Sequence, residues 1–293
     1  MVTTSGSSDV AALRRAVRRA QVPLRRPLPW VGLADPWAIL VSEVMLQQTQ
    51  SARVLEPWSR FLERFPTPES CAQATIADVL RQWSGLGYPR RARSLQLAAQ
   101  RICDEHGGRV PEELDDLLDL PGVGEYTARA VASFAFHQRV AVLDTNVGRV
   151  LARALANRPL RSREARELAH QLLGRSASAP FNQAMIDLGA QFCRSVPRCG
   201  PCPVATACRW RLDGGPDPAP TSASVSRVQS TFVGSDRQLR GAVLRELVSG
   251  PLSPSRLCAA TGRADTPRFD RVLASLERDG LVVVASDVRL AGD

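Results

Sequence analysis

The chain has 293 residues, 44% of them hydrophobic, and a net charge of +9. That is enough apolar material for one large core or two smaller ones, which excludes a disordered polyelectrolyte. All 38 basic residues are arginine, so chemistry that needs a lysine amine is closed to it, and the positive balance favours a polyanionic partner. No run of about 18 apolar residues could span a membrane, and the opening MVTTSGSS lacks the charged start and apolar core of a signal peptide. The expectation is a cytoplasmic, nucleoid-associated protein.

Helical periodicity dominates residues 10–212, interrupted at Pro66 to Pro68, Gly85 to Pro89, Gly107-Gly108, Pro121-Gly122 and Pro159. In the early stretch ILVSEVMLQQTQ (Ile39 to Gln50), Asp35 is a natural N-cap and Pro36 suits the first helical position, so a helix is predicted from Pro36 to about Thr49. Glu43 falls on a face with Ile39, Leu40 and Leu46, where a bare carboxylate is expensive unless it is paired or protonated. The ordinary alternative turns this face to solvent.

Further on, LPGVGEYTA (Leu120 to Ala128) lies between two helical segments. Gly122 and Gly124 permit a tight turn that offers main-chain N–H groups to a phosphate, the pattern of a helix-hairpin-helix. Then comes VLDTNVGRVLAR, in which Asp144 follows an apolar run and precedes a new helix. By position alone it is an N-cap.

Cys193, Cys199, Cys202 and Cys208 have the spacing C-x5-C-x2-C-x5-C. Four thiolates so spaced suit a metal rather than disulfides, and the spacing leaves zinc and an iron-sulfur cluster open. The segment DGGPDPAP from Asp213 and the Ser-rich residues after it, to about Ser230, are predicted to be a linker. Beyond it, Ser235 to Val248, Ser253 to Ala260 and Pro267 to Asp279 read as three helices, with LVVVASDVRLAG as a short hairpin, together a winged-helix shape over 231–293. The charge is net +8 over residues 1–230 and +1 over 231–293, which assigns most polyanion binding to the first domain.

Taken jointly, LPW at 28–30, SEVMLQQTQ, GLGY at 85–88, LPGVGEYTA, LDTNVGRV, FNQAMIDLGA at 181–190 and the cysteine cluster resemble the MutY-type adenine DNA glycosylases over roughly residues 25–210. The resemblance implies a mainly helical, two-lobed core (one lobe at about 31–137, the other the N-terminal helix with about 138–212) and double-stranded DNA bound across the groove between the lobes. It implies a monomer that excises adenine mispaired with 8-oxoguanine or guanine in base excision repair. Glu43 is then the acid that protonates the departing base at N7, and Asp144 the ionised partner of the sugar cation, assisted by Tyr126 and Asn146. Gln48 and Tyr88 become the side chains that fill the gap left by the extruded adenine. Trp30, Leu46 and Asp187 are placed near the base pocket, Arg194 and Arg198 near phosphate, and the four cysteines on a [4Fe–4S] cluster.

This chain departs from that pattern in three places. The first cysteine gap is one residue shorter than the family's usual six, Val31 stands where an arginine usually follows the tryptophan, and residues 231–293 are too short for the Nudix-like domain that reads 8-oxoguanine. His106, His137 and His170 match no functional position. Two rival readings exist: an endonuclease III-like glycosylase and lyase, which would need a lysine where Tyr126 stands, and a non-catalytic metal-containing DNA-binding protein, which leaves the joint presence of Glu43 and Asp144 in these motifs unexplained.

Overall fold

The structure, a computed structural model, describes residues 6–226, 231–262 and 266–293. It is mainly helical and consists of two compact units, Met1–Ala34 with Glu125–Val228, and Asp35–Gly124 with Gln229–Asp293. The C-terminal segment, expected as a domain after a linker, shares a unit with the helical segment that begins at Asp35.

In the second of these units, the helix Pro36–Leu46 starts as predicted: the Asp35 carboxylate accepts from the backbone N–H groups of Trp37 and Ala38. Nine consecutive residues, Trp37 to Met45, are buried, as expected of a helix apolar on nearly every side. Helices Leu55–Arg64 and Arg90–His106 pack against it, and Ile76–Gln82 packs against those two. The indole N–H groups of Trp37 and Trp58 donate to the Phe65 and Ala38 carbonyls, so their burial leaves no polar cost.

The C-terminal part of this unit has the predicted order: helices Asp236–Leu247, Pro254–Ala260 and Thr266–Arg278, then an antiparallel hairpin of Val282–Val284 and Val288–Leu290. A bridge between Leu252 and Val288 adds the short first strand of a winged helix. Its docking uses the sequence's only plentiful cation. Asp279 accepts from Arg90 and Arg240, the backbone carbonyl of Asp279 accepts from Arg93, and Arg81 pairs with Asp293. Val282 and Val283 face the same cleft as Ile76 and Leu97, so the hairpin is turned toward the helical part of its own unit.

The other unit has a single core in which the N-terminal helix Ser7–Leu24 packs against Ser178–Gln191. The segment Asp213 to Ser226, predicted as a linker, is fastened along this unit. Asp217 pairs with Arg153, the Ser222 hydroxyl accepts from the Leu160 N–H, and Ala223 N–H donates to the Leu160 carbonyl. Composition alone suggested a flexible tether, and side-chain to backbone bonds fix it instead. Residues 227–230 of the predicted linker lie outside the described residues.

Asp279 gives a test of the docking. Burial alone would raise its carboxyl, but the hydrogen bonds from Arg90 and Arg240 outweigh that and hold it below the ordinary carboxylate value. A depressed acid stabilises the fold above its unfolded value and loses that contribution as pH falls through the native one. Asp279→Asn is therefore expected to cost about 2 kcal/mol at neutral pH, visible as a lower melting temperature. The gap between variant and parent should close as pH drops below about 4. An unchanged melting temperature at pH 7 would show that the apolar hairpin contact alone docks the segment.

Candidate active site

Glu43 sits in the third turn of the helix Pro36–Leu46 and is 4% exposed. The solvent-facing alternative is thereby excluded, because the helix has almost no wet side. Leu46 is half-buried at the helix end, and the next residues leave helical geometry: Gln48 is exposed, with φ +56°. The helix stops at Leu46 rather than Thr49 for a reason that lies 45 residues downstream in Arg91. The Arg91 guanidinium donates to the carbonyls of Val44 (2.9 Å), Met45 (2.8 Å) and Gln47 (2.6 Å), and also to the Thr49 hydroxyl. These are the orphan carbonyls of a helix C-terminus, where a cation is also favoured by the helix dipole.

The same guanidinium donates to the carbonyls of Leu86 and Gly87, and lies over the rings of Trp83 and Tyr88 at 5.5 and 5.3 Å. Tyr88 has φ +48°, a conformation that costs a non-glycine residue energy unless its surroundings enforce it. Arg91 thus ties the turn bearing Gln48 to the turn bearing Tyr88. On the other side of Tyr88, Arg237 of the C-terminal segment donates to its hydroxyl at 2.8 Å. Burial pushes the Arg91 pKa down to about 10, which still leaves it charged at neutral pH.

The hairpin glycines differ in role. Gly122 has φ +78°, and a Cβ there would meet the Ser94 Cβ at 2.5 Å, so a side chain is excluded twice over. A Cβ on Gly124 would meet nothing within 4 Å, which leaves the backbone open to a close ligand. The Gly122 carbonyl accepts from the Gln47 amide.

In the other unit, Asp144 is the N-cap of the helix Thr145–Val150 and accepts from the Val147 N–H at 2.7 Å. It is more than a cap. Asn146 Nδ2 donates to its other oxygen at 2.6 Å, Arg149 donates to Asn146 Oδ1 at 2.6 Å, and Arg149 Nε donates to the Cys193 carbonyl at 2.7 Å. A continuous polar chain therefore links the Asp144 carboxylate to the cysteine loop. Burial raises the Asp144 carboxyl above its ordinary value, opposed by the bonds from Val147 and Asn146 and by the charge of Arg149. Close packing makes this possible: a Cβ on Gly189 would lie 2.5 Å from the Asn146 Cβ.

Tyr126 is half-buried against the core of this unit, and Trp30 is buried. Asp187, fully buried, is engaged structurally. Arg26 Nε pairs with it at 2.5 Å, and the Arg26 N–H and the Gln183 amide donate to it as well. Its carboxylate anchors the segment that carries Trp30. Arg194 and Arg198 are exposed on the loop after Cys193. His106, His137 and His170 are half-buried or exposed.

The four cysteines Cys193, Cys199, Cys202 and Cys208 line one cavity of about 30 Å³, together with Arg153 and Trp210. Among the described residues, no three His, Cys, Asp or Glu side chains converge as ligands on a single metal ion. Burial holds the Cys193 and Cys208 thiols above their ordinary value and Cys202 at about 11. Arg153, 1% exposed, donates to Cys193 Sγ at 3.4 Å.

Sequence reasoning missed Arg91, Arg149 and Arg153. A signal existed for two of them: arginines four apart in VGRVLAR, flanked by apolar residues, mark a helix that buries both. None existed for Arg91, whose acceptors lie 4 to 47 residues away.

Residues 41–175 match the family model described as HhH-GPD superfamily base excision DNA repair protein. An adenine DNA glycosylase of Mycobacterium tuberculosis (strain H37Rv) is 45% identical over 276 residues, 91% of this chain and 88% of the relative. A match of that extent has to run into the C-terminal segment. An adenine DNA glycosylase of Homo sapiens is 39% identical over 219 residues, 70% of this chain and 40% of that protein. Among solved structures, a thermostable thymine-DNA glycosylase superimposes with a TM-score of 0.64 at 26% identity, over 70% of this chain and 98% of that one. A trapped endonuclease III–DNA covalent intermediate gives 0.58 at 24% identity, over 68% and 97%, a likeness of fold alone.

Arg91 yields the prediction of this section. Arg91→Met strips six backbone and hydroxyl acceptors of their donor and is expected to cost about 3 kcal/mol or more. Arg91→Lys should recover little, since one ammonium cannot span both turns. Thermal unfolding with amide exchange at residues 44–49 and 86–88 is the measurement, and parent-like protection in Arg91→Met would refute the tie.

Proposed function

The chain belongs to the adenine DNA glycosylases of the HhH-GPD superfamily of base excision DNA repair proteins, and we propose that it hydrolyses the N-glycosidic bond of adenine mispaired with 8-oxoguanine or guanine, without lyase activity. The observation that carries this reading is the environment of Glu43, a 4% exposed carboxyl group within nine consecutive buried helical residues, beside the turn of Gln48. Such a group serves as an acid, and delivers its proton to the leaving base. As the bond to C1′ breaks, the electron pair leaves with the adenine and positive charge develops on the sugar. Asp144, held at a helix N-terminus by Val147 and Asn146, is the counter-charge for that cation. Water then adds to C1′, and the proton it sheds returns the Glu43 carboxylate to its acid form. Tyr126 and Asn146 assist the two carboxylates, and Gln48 and Tyr88 occupy the vacated stack.

Duplex DNA is held by the hairpin at Gly122 and Gly124 and by the exposed Arg194 and Arg198. Trp30 and Leu46 contribute apolar surface to the base pocket, while Asp187 keeps the Trp30 segment in place through Arg26. A Schiff base would need an amine, and the chain has no lysine.

The four cysteines hold a [4Fe–4S] cluster in this reading. All four thiols line one cavity, a donor set of four sulfurs that fits such a cluster. The group supplies a cross-link for the loop bearing Arg194 and Arg198. The purified protein is then brown, with broad absorption near about 400 nm. A colourless, zinc-loaded protein after anaerobic purification would refute the assignment.

Duplexes containing A:8-oxoguanine, A:G and A:C, incubated with the protein and then treated with alkali, test the reaction. Strands should break only after alkali, at the first two mispairs. Glu43→Gln should lose excision while keeping duplex affinity, and Asp144→Asn should lose it through the missing counter-charge. Because burial raises the Asp144 carboxyl and its ionised form is required, activity should fall on acidification at a pH above the ordinary Asp value of about 3.9. Cutting without alkali would favour the lyase reading instead.

A further inference from the structure

The stretch from Asp217 to Ser226 has the composition of a tether, yet it is attached at both ends and the middle of one continuous helical run, Thr145–Val150 and Leu151–Ala156, the latter in π winding. At the far end, the Arg153 guanidinium has five N–H groups and five acceptors: both Asp217 oxygens at 2.8 and 2.6 Å, Cys193 Sγ, and the carbonyls of Arg194 and Ser195. Its face lies over Trp210 at 5.4 Å. In the middle, Gly148 meets Ser224 so closely that a Cβ would be 3.0 Å from the Ser224 carbonyl oxygen. At the near end, the Thr145 and Ser226 hydroxyls share a hydrogen bond, and the Ser226 N–H donates to Thr145 Oγ1 at 3.0 Å. Thr145 is the residue after Asp144.

We propose that Asp217 to Ser226 is a strap that fixes the register of the Asp144-bearing helix against the cysteine loop, with Asp217 the positioning residue at the loop end and Ser224 and Ser226 those at the carboxylate end. The proposal rests on the roles given above to Asp144 and the four cysteines. Without Asp217, Arg153 would be a buried cation lacking its counter-ion, and the Cys193 thiolate would lose a fixed donor. Without the contacts at Gly148 and Thr145, the N-terminus of the helix would be held from one side only. π segments recur where a helix is re-aimed for function, and this one carries Arg153 itself.

The test uses the full-length protein, holding whatever metal it acquires, in two variants. Asp217→Asn is expected to retain less iron per chain, to lose absorbance near about 400 nm and to exchange amides faster at residues 193–199. The second variant, Gly148→Ala with Ser226→Ala, should keep its iron. It should exchange the Val147 amide faster and lose about tenfold or more in single-turnover adenine excision, because small displacements of a catalytic group are costly. Duplex affinity should stay within about twofold. Full iron and unchanged exchange in Asp217→Asn, or parent-like Val147 exchange and excision rate in the second variant, overturns the strap. If the unmutated protein excises no adenine, the reading of the reaction fails, while iron content and exchange still decide the strap.

Discussion

A guanidinium can be buried only where nearly every N–H finds an acceptor, and this chain depends on two that meet the condition. Arg91 gathers the carbonyls at the end of the Glu43 helix and those of the Tyr88 turn. Arg153 gathers Asp217, the Cys193 sulfur and the loop carbonyls behind it. Neither could be lysine, whose three donors radiate from one point and cannot reach acceptors on opposite sides of a planar fork. The arginine-only composition, whatever its origin, is therefore compatible with the fold in a way a lysine-rich one would not be. In each unit a single side chain converts loops into fixed turns, and the candidate catalytic carboxylates are built on what those turns hold.

The two carboxyl groups are kept in different surroundings. Glu43 lies within a run of nine buried helical residues, where charge is expensive. Asp144 is also removed from water, but it has a backbone N–H, an amide and a nearby arginine to stabilise its anion. Different surroundings for two like groups are the usual physical basis for dividing acid and base work between them. Each is supplied locally by its own unit.

Much of this was legible in the sequence, and the misses share one cause. Asp35-Pro36 marked the start of the Glu43 helix because capping is local. Its end was misplaced because the residue that stops it, Arg91, is distant in sequence. Asp144 was legible as a cap and, through its motif, as a carboxylate of interest; its connection to the cysteine loop was not, since Arg149 reaches across 44 positions. The order of helices and hairpin after residue 231 was readable from periodicity. The linker was misjudged because Pro, Gly and Ser report how freely a segment could move, not whether buried partners such as Arg153 and Leu160 will hold it. Asp187, placed near the base pocket by resemblance, has an ion pair with Arg26 that its motif did not announce.

The C-terminal segment has the element order of a winged helix, and several of its charged side chains are spent on its own unit. In a DNA-binding winged helix the third helix and the hairpin meet the duplex with positive charge. Here the exposed residues of the third helix include Asp270, Arg271, Glu277 and Arg278, a face of mixed sign, and the hairpin's valines are turned toward Ile76 and Leu97. Three of its other arginines are engaged within the unit: Arg240 with Asp279, Arg268 with Asp236, and Arg237 with the Tyr88 hydroxyl. The net charge of the segment is only +1, so its pull on phosphates is weaker than that of the first 230 residues. What it does contribute is a second hold on the Tyr88 turn, opposite Arg91. That gives the segment an influence on the geometry of a strained tyrosine.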